Sequence, residues 1–112
     1  MNDEEKKSDI LKTQIYNLIS TKASKIKPIR GRDLCIECNI SSRDLKKIIV
    51  LLREDYPIVA KETDGGGYWI AESSDDIINF IQMIERRKNG YENTIKVMNE
   101  HLIFYGNVPF ID

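Results

Sequence analysis

The sequence predicts a mainly α fold of the α+β class: three helices, a β-hairpin, then a long C-terminal helix. Three observations predict it. Apolar residues recur at helical spacing in the first half of the chain. Two short β-prone runs then flank a glycine triplet. A seam of apolar residues follows, separated alternately by four and three positions.

Helix 1 is expected over about 9–23. Ser8-Asp9 reads as its start, and Leu11, Ile15, Leu18, Ile19 and Ala23 recur on one face. Residues 1–8 are polar and are expected to be flexible. Lys27-Pro-Ile-Arg30 is short and extended, because Pro28 biases Lys27 away from helix, and it could form a small edge strand. Helix 2 follows over about 32–38 and helix 3 over about 42–54, ended by Asp55-Tyr-Pro57.

The segment between helices 2 and 3 carries the most information. Leu34 and Cys38 fall on the inner face of the first of these helices, Ile40 in the turn, and Leu45, Ile48 and Ile49 on the inner face of the second. Asn39 stands at the corner, where a left-handed backbone is needed and Gly, Asn or Asp adopts it most cheaply. Ser41 is an N-cap with Asp44 three residues on. With the apolar residues turned inward, Ser42, Arg43, Lys46 and Lys47 are left on the outer face. A polar, basic, outward-facing second helix is what major-groove recognition requires.

Ile58-Val-Ala-Lys-Glu62 and Tyr68-Trp-Ile-Ala71 read as the strands of a hairpin around Thr63-Asp-Gly-Gly-Gly67. Three helices followed by a hairpin is the winged helix-turn-helix order, assigned to residues 9–72. Of Trp69 and Tyr68, on opposite strand faces, one is expected in the core while the other could touch the C-terminal helix. Ser73 with Asp76 makes a second capping box. Beyond it Ile77, Ile81, Ile84, Lys88, Tyr91, Ile95, Met98 and Leu102 form a heptad seam with one polar member, Lys88. Asn89-Gly90 could break this helix, but an interior glycine costs only about 1 kcal/mol and the phase is unchanged across it. One helix is expected over about 74–103, in a C-terminal segment assigned to 73–103. Ile77, Ile81 and Ile84 could pack on the chain's own body. A helix of some 30 residues, roughly 45 Å long, is too long for that body to cover. Ile84, Tyr91, Ile95, Met98 and Leu102 are therefore expected to pair two copies as a homodimer. The apolar tail, 104–112, is expected to dock on its own domain or a partner chain.

At 112 residues, 41% hydrophobic and 31% charged, the chain can bury a modest core. No apolar run approaches the roughly 18 residues of a membrane span, and the acidic N-terminus is unlike a signal sequence. A cytoplasmic location is expected, with no membrane partner. Net charge is −1, but it is unevenly distributed. From Lys12 to Lys61 there are eleven basic and five acidic residues, a surplus of six positive charges. From Glu62 to Asp112 there are four basic and nine acidic. Such polarity points to one anion-facing surface. Arg43 is the expected guanine reader, with Ser41, Ser42, Lys46 and Lys47 beside it. Arg30, Arg32, Lys25, Lys27 and Lys61 are the expected neighbours of the DNA backbone. The bland alternative for each is an ordinary solvated charge.

Other signals yield to simpler readings. Cys35-Ile-Glu-Cys38 offers two thiols where structural zinc needs four ligands, with only the distant His101 to add. Core packing explains the cysteines better. Gly65-Gly-Gly67 lies in a hairpin and lacks the Lys-Ser/Thr of a phosphate loop. His101 is alone, and Asp75 and Asp76 are explained by capping. No catalytic set, metal or cofactor is expected.

Read together, Asn39 to Glu54, Tyr56-Pro-Ile58 and Gly66-Gly-Tyr-Trp-Ile-Ala71 resemble a winged helix-turn-helix family, in particular the DNA-binding domain of biotin operon repressors. They resemble still more the small phage and prophage proteins of Gram-positive bacteria, where an acidic-start helix like Ser73-Ser-Asp-Asp76, with an Arg-Arg segment like Glu85-Arg-Arg-Lys88, follows at once. The resemblance covers about residues 9–103. It implies operator-type double-stranded DNA binding and transcription regulation, with helix 3 in the major groove. One departure is the hairpin tip, where Glu62 and Asp64 accompany only Lys61, so that this wing could stay off the duplex. The rival reading is a protein–protein adaptor that modulates host or phage replication or transcription machinery without reading DNA.

Overall fold

A computed structural model describes residues 3–63 and 65–106. The order is α1 (Asp3–Lys22), α2 (Gly31–Cys38), α3 (Ser42–Leu52), β1 (Ile58–Lys61), β2 (Gly67–Ile70) and α4 (Ser74–Phe104). The fold is mainly helical, with one two-stranded antiparallel sheet and a long C-terminal helix. The chain divides into two units, Met1–Phe80 and Ile81–Asp112, so α4 starts in the first and makes up most of the second.

The core of the first unit is built from the faces that the periodicity selects. Ile15 and Ile19 of α1, Leu34 and Cys38 of α2, Leu45, Ile48, Ile49 and Leu52 of α3 and Ile58 of β1 form one buried cluster. Leu11, Leu18 and Ala23 pack against it, half-buried. Tyr16 of α1 stacks on Tyr56, ring centroids 4.0 Å apart, and so ties the first helix to the chain leaving α3.

Two element ends differ from expectation. The helix start read at Ser8-Asp9 lies inside α1, which begins at Asp3, so residues 3–8 are helical rather than flexible. Asp3, Glu4 and Glu5 fill the first turn, where carboxylates meet the positive end of the helix dipole. Helix α3 stops at Leu52, two residues short of the expected end. Arg53 caps it and donates from Nε to the Ile58 carbonyl at 2.8 Å, drawing the chain back toward β1. Gly90 does not interrupt α4.

The hairpin is buried on both faces. In its register Ile58 faces Ile70, Val59 faces Trp69, Ala60 faces Tyr68 and Lys61 faces Gly67. Because side chains alternate, Ile58, Tyr68 and Ile70 reach the helical core. Val59 and Trp69 are buried on the opposite face, at 2% and 7% exposure. The extended segment at Pro28 supplies a third, minimal pairing: Ile29 and Tyr68 exchange two backbone hydrogen bonds of 3.0 and 2.8 Å. Gly67 permits this approach. Its φ is +136°, and a Cβ there would lie 2.6 Å from the Cβ of Pro28.

Candidate nucleic-acid interface

The corner between α2 and α3 is set locally. Asn39 adopts φ 52° and ψ 53°, the left-handed conformation expected from its identity, and its N–H closes onto the last turn of α2. Ser41 then turns extended, and its Oγ accepts from the Asp44 N–H at 3.1 Å, the first half of the expected capping box. The cap fixes where α3 starts and hence which residues face outward. Leu45, Ile48, Ile49 and Leu52 are buried, while Ser42, Arg43, Lys46 and Lys47 are exposed. Three cations within five residues, on a helix held by four buried aliphatic side chains, present a fixed positive ridge.

The ten expected contact residues do not form one cluster. Ser41, Ser42, Arg43, Lys46 and Lys47 share the start and outer face of α3. Arg32 joins them at the edge, since it lines a shallow groove of about 660 Å³ with Ile36, Asn39 and Ser42. Its Nε lies 3.7 Å from Asp33, which offsets part of its charge. Arg30 belongs to the hairpin instead. A Cβ on Gly65 would lie 2.6 Å from its Nη2, so the guanidinium lies against the glycine tip. The tip expected to be acidic therefore has an arginine beside it. Lys61 is half-buried at the end of β1, and Lys27 is exposed in the loop after α1. Asp64 lies outside the described residues.

Lys25 has a carboxylate partner within the chain. Its ammonium sits 3.2 Å from Asp76 Oδ1, and its backbone N–H donates to Glu72 Oε2 at 2.9 Å. The side chain remains 56% exposed, so this cation meets a buried carboxylate from the surface. Arg53 is likewise committed, with its guanidinium 4.5 Å from the centre of the Phe80 ring. Arg53 is half-buried, whereas Lys25 stays exposed with its charge offset by Asp76.

Asp76 is the residue that sequence reasoning undervalued. Its N–H does reach Ser73 Oγ, at 3.4 Å, as capping predicts. Its carboxylate, 3% exposed as a residue, also accepts from the Glu72 N–H at 2.9 Å and from Trp69 Nε1 at 3.2 Å. The Glu72 backbone bond, then the Trp69 and Lys25 contacts, outweigh burial and hold its pKa below the ordinary carboxylate value. Trp69, not Tyr68, is thus the strand residue that meets the C-terminal helix. The second omission is Val50, 60% exposed three residues beyond Lys47. The helical spacing of Arg43, Lys47 and Val50 was the available signal.

Cys38 is buried in the core and Cys35 half-buried beside it, both as free thiols. Burial, then Glu37 and Cys35, push the Cys38 thiol up in pKa, away from the reactive thiolate. His101 is exposed in the last turn of α4. Among the described residues no three His, Cys, Asp or Glu side chains are grouped to hold a metal ion, and no helix is long and apolar enough to cross a membrane.

Along α4 the seam residues stay open. Ile81, Ile84, Tyr91, Ile95, Met98 and Leu102 are 36% to 70% exposed. Phe104, Tyr105 and Gly106, the described part of the tail, are exposed as well, and 107–112 lie outside the described residues. Compared with known proteins, the chain matches no family model, no curated protein and no solved structure.

Proposed function

We propose that this chain is a winged helix-turn-helix protein that binds double-stranded DNA sequence-specifically and regulates transcription, in the manner of small phage and prophage regulators. The observation that carries the reading is the outer face of α3, with Arg43, Lys46 and Lys47 exposed opposite Leu45, Ile48, Ile49 and Leu52. The helix enters the major groove, Arg43 addresses a guanine, and the lysines hold phosphates. Val50 extends the same stripe with an apolar group suited to a thymine methyl. Arg30 brings positive charge to the hairpin wing. The C-terminal helix pairs two copies, which favours an inverted-repeat site. No catalytic step and no cofactor enter this reading.

Titration of duplex DNA at two salt concentrations tests it. Affinity should fall steeply with salt, with a log–log slope of about −0.9 per phosphate contacted. No binding at low salt would sink the proposal. One observation favours the adaptor reading: Ile36 is 71% exposed in the groove beside α3, an apolar surface that DNA binding does not need. Under that reading Ile36→Asp abolishes partner capture, whereas charge removal from α3 does not.

A further inference from the structure

The seam of α4 carries more than a preference for pairing. Its spacing assigns heptad letters: Ile81, Lys88, Ile95 and Leu102 take position a, and Ile84, Tyr91 and Met98 take position d. The flanks then follow. Glu85, Glu92 and Asn99 fall at e; Arg87, Thr94 and His101 fall at g. The e flank is acidic and the g flank holds a cation, and the two possible directions of a paired helix use these flanks differently.

In a parallel pair each g residue faces the e residue five positions on in the partner. Arg87 then meets Glu92 of the other copy, twice by symmetry, and Thr94 meets Asn99. In an antiparallel pair e faces e and g faces g. With Lys88 opposite Tyr91 in that arrangement, Glu85 would face Glu92 twice by symmetry on the e side, and Arg87 would face only Thr94 on the g side. We infer that α4 docks with a second copy of this chain as a parallel two-stranded coiled coil, directed by Arg87 and Glu92 and held in register by Lys88.

Three features fit this occupant. The a and d side chains from Ile81 to Leu102 are exposed, spanning about 32 Å of helix. Lys88 is the one charged member of the seam, and a single polar residue at position a fixes register and oligomer size. Its ammonium lies 3.9 Å from Glu92 Oε1 on the same helix, so both copies can lead this charge out of the seam to the acidic e flank. Gly90 falls at position c, away from the contact.

The inference rests on the pairing within the proposed function, and its test does not use DNA. Light scattering should give a dimer of the whole chain. Mild oxidation of the Met98→Cys chain should link residue 98 to residue 98 of the second copy, identified by the mass of the joined peptides, with the unsubstituted chain as control for Cys35 and Cys38. Glu92→Arg should weaken association several-fold, and adding Arg87→Glu should restore it. Mixing Ile81→Cys and Met98→Cys chains separates the directions. An 81–98 link without 98–98 self-linking would overturn the parallel assignment while keeping the pairing. A monomer at all concentrations, or a dimer indifferent to Ile95→Glu, would overturn both. A trimer, or failure of the double reversal to restore association, would overturn the roles given to Lys88 and the Arg87–Glu92 pair.

Discussion

The indole N–H of Trp69 donates to the buried carboxylate of Asp76 across 3.2 Å. That bond joins the outer face of the hairpin to the first turn of α4, and Lys25 and the Glu72 N–H complete the carboxylate's partners. Asp76 thus links three segments: the loop after α1, strand β2 and the start of α4.

The direction of its pKa gives a pH prediction. The folded value is depressed below the unfolded value of about 3.9. The carboxylate's contribution is therefore fully present above that unfolded value and is lost as pH falls through the folded pKa. Acid unfolding followed by tryptophan fluorescence should show Trp69 losing its native environment below about pH 4. Asp76→Ala should lower Tm at neutral pH and flatten the acid limb of the Tm profile. An unchanged acid limb would mean that other carboxylates set it.

The order and inner faces of the elements were legible in the sequence because local patterns fix them. Asn39, Ser41 and the four buried aliphatic positions of α3 all lie within the single short segment 39–52. The fates of Lys25 and Arg53 were not legible in this way. Each looks like a surface cation along the chain, and each is claimed by a group that only folding brings near: Asp76 for one, the Phe80 ring for the other. Asp76 was half legible, since its capping role is local and its tertiary partners are not. The start of α1 was missed because Asp3-Glu-Glu5 carries no apolar residue for a periodicity to register.

A backbone test concerns the hairpin. At Gly67 a positive φ and the neighbouring Pro28 both exclude a side chain. Gly67→Ala should destabilise the first unit by about 1–3 kcal/mol from the backbone strain alone, with a further loss as the Ile29–Tyr68 bridge opens. Thermal melting measures the loss, and amide exchange at Ile29 and Tyr68 locates it. Slow exchange retained at both amides would show that the bridge survives the added methyl.

Gly90 predicts the opposite sign. It lies within α4, and a Cβ there would have nothing within 4 Å. Gly90→Ala should stabilise that helix by about 0.8–1 kcal/mol, the difference in helix propensity. Circular dichroism at 222 nm should record a higher melting temperature with the oligomeric state unchanged. A fall would mean that the outer side of the helix is covered by another chain, where a methyl group is not tolerated.

The DNA reading can be tested by contrasting cations that the sequence alone does not separate. Arg43 and Lys47 are exposed on α3, whereas the Lys25 ammonium is paired with Asp76. Arg43→Ala should weaken binding to a selected site by about 1–3 kcal/mol, roughly 5- to 150-fold, and relax preference at one base pair. Lys47→Ala should weaken specific and random duplexes alike and reduce the salt slope by about one contact. Lys25→Ala removes the same formal charge but should leave the salt slope unchanged and lower Tm instead. Fluorescence anisotropy at several salt concentrations, read beside thermal melts, separates the three. Equal losses of DNA affinity from all three variants would point to a diffuse basic surface and against recognition through α3.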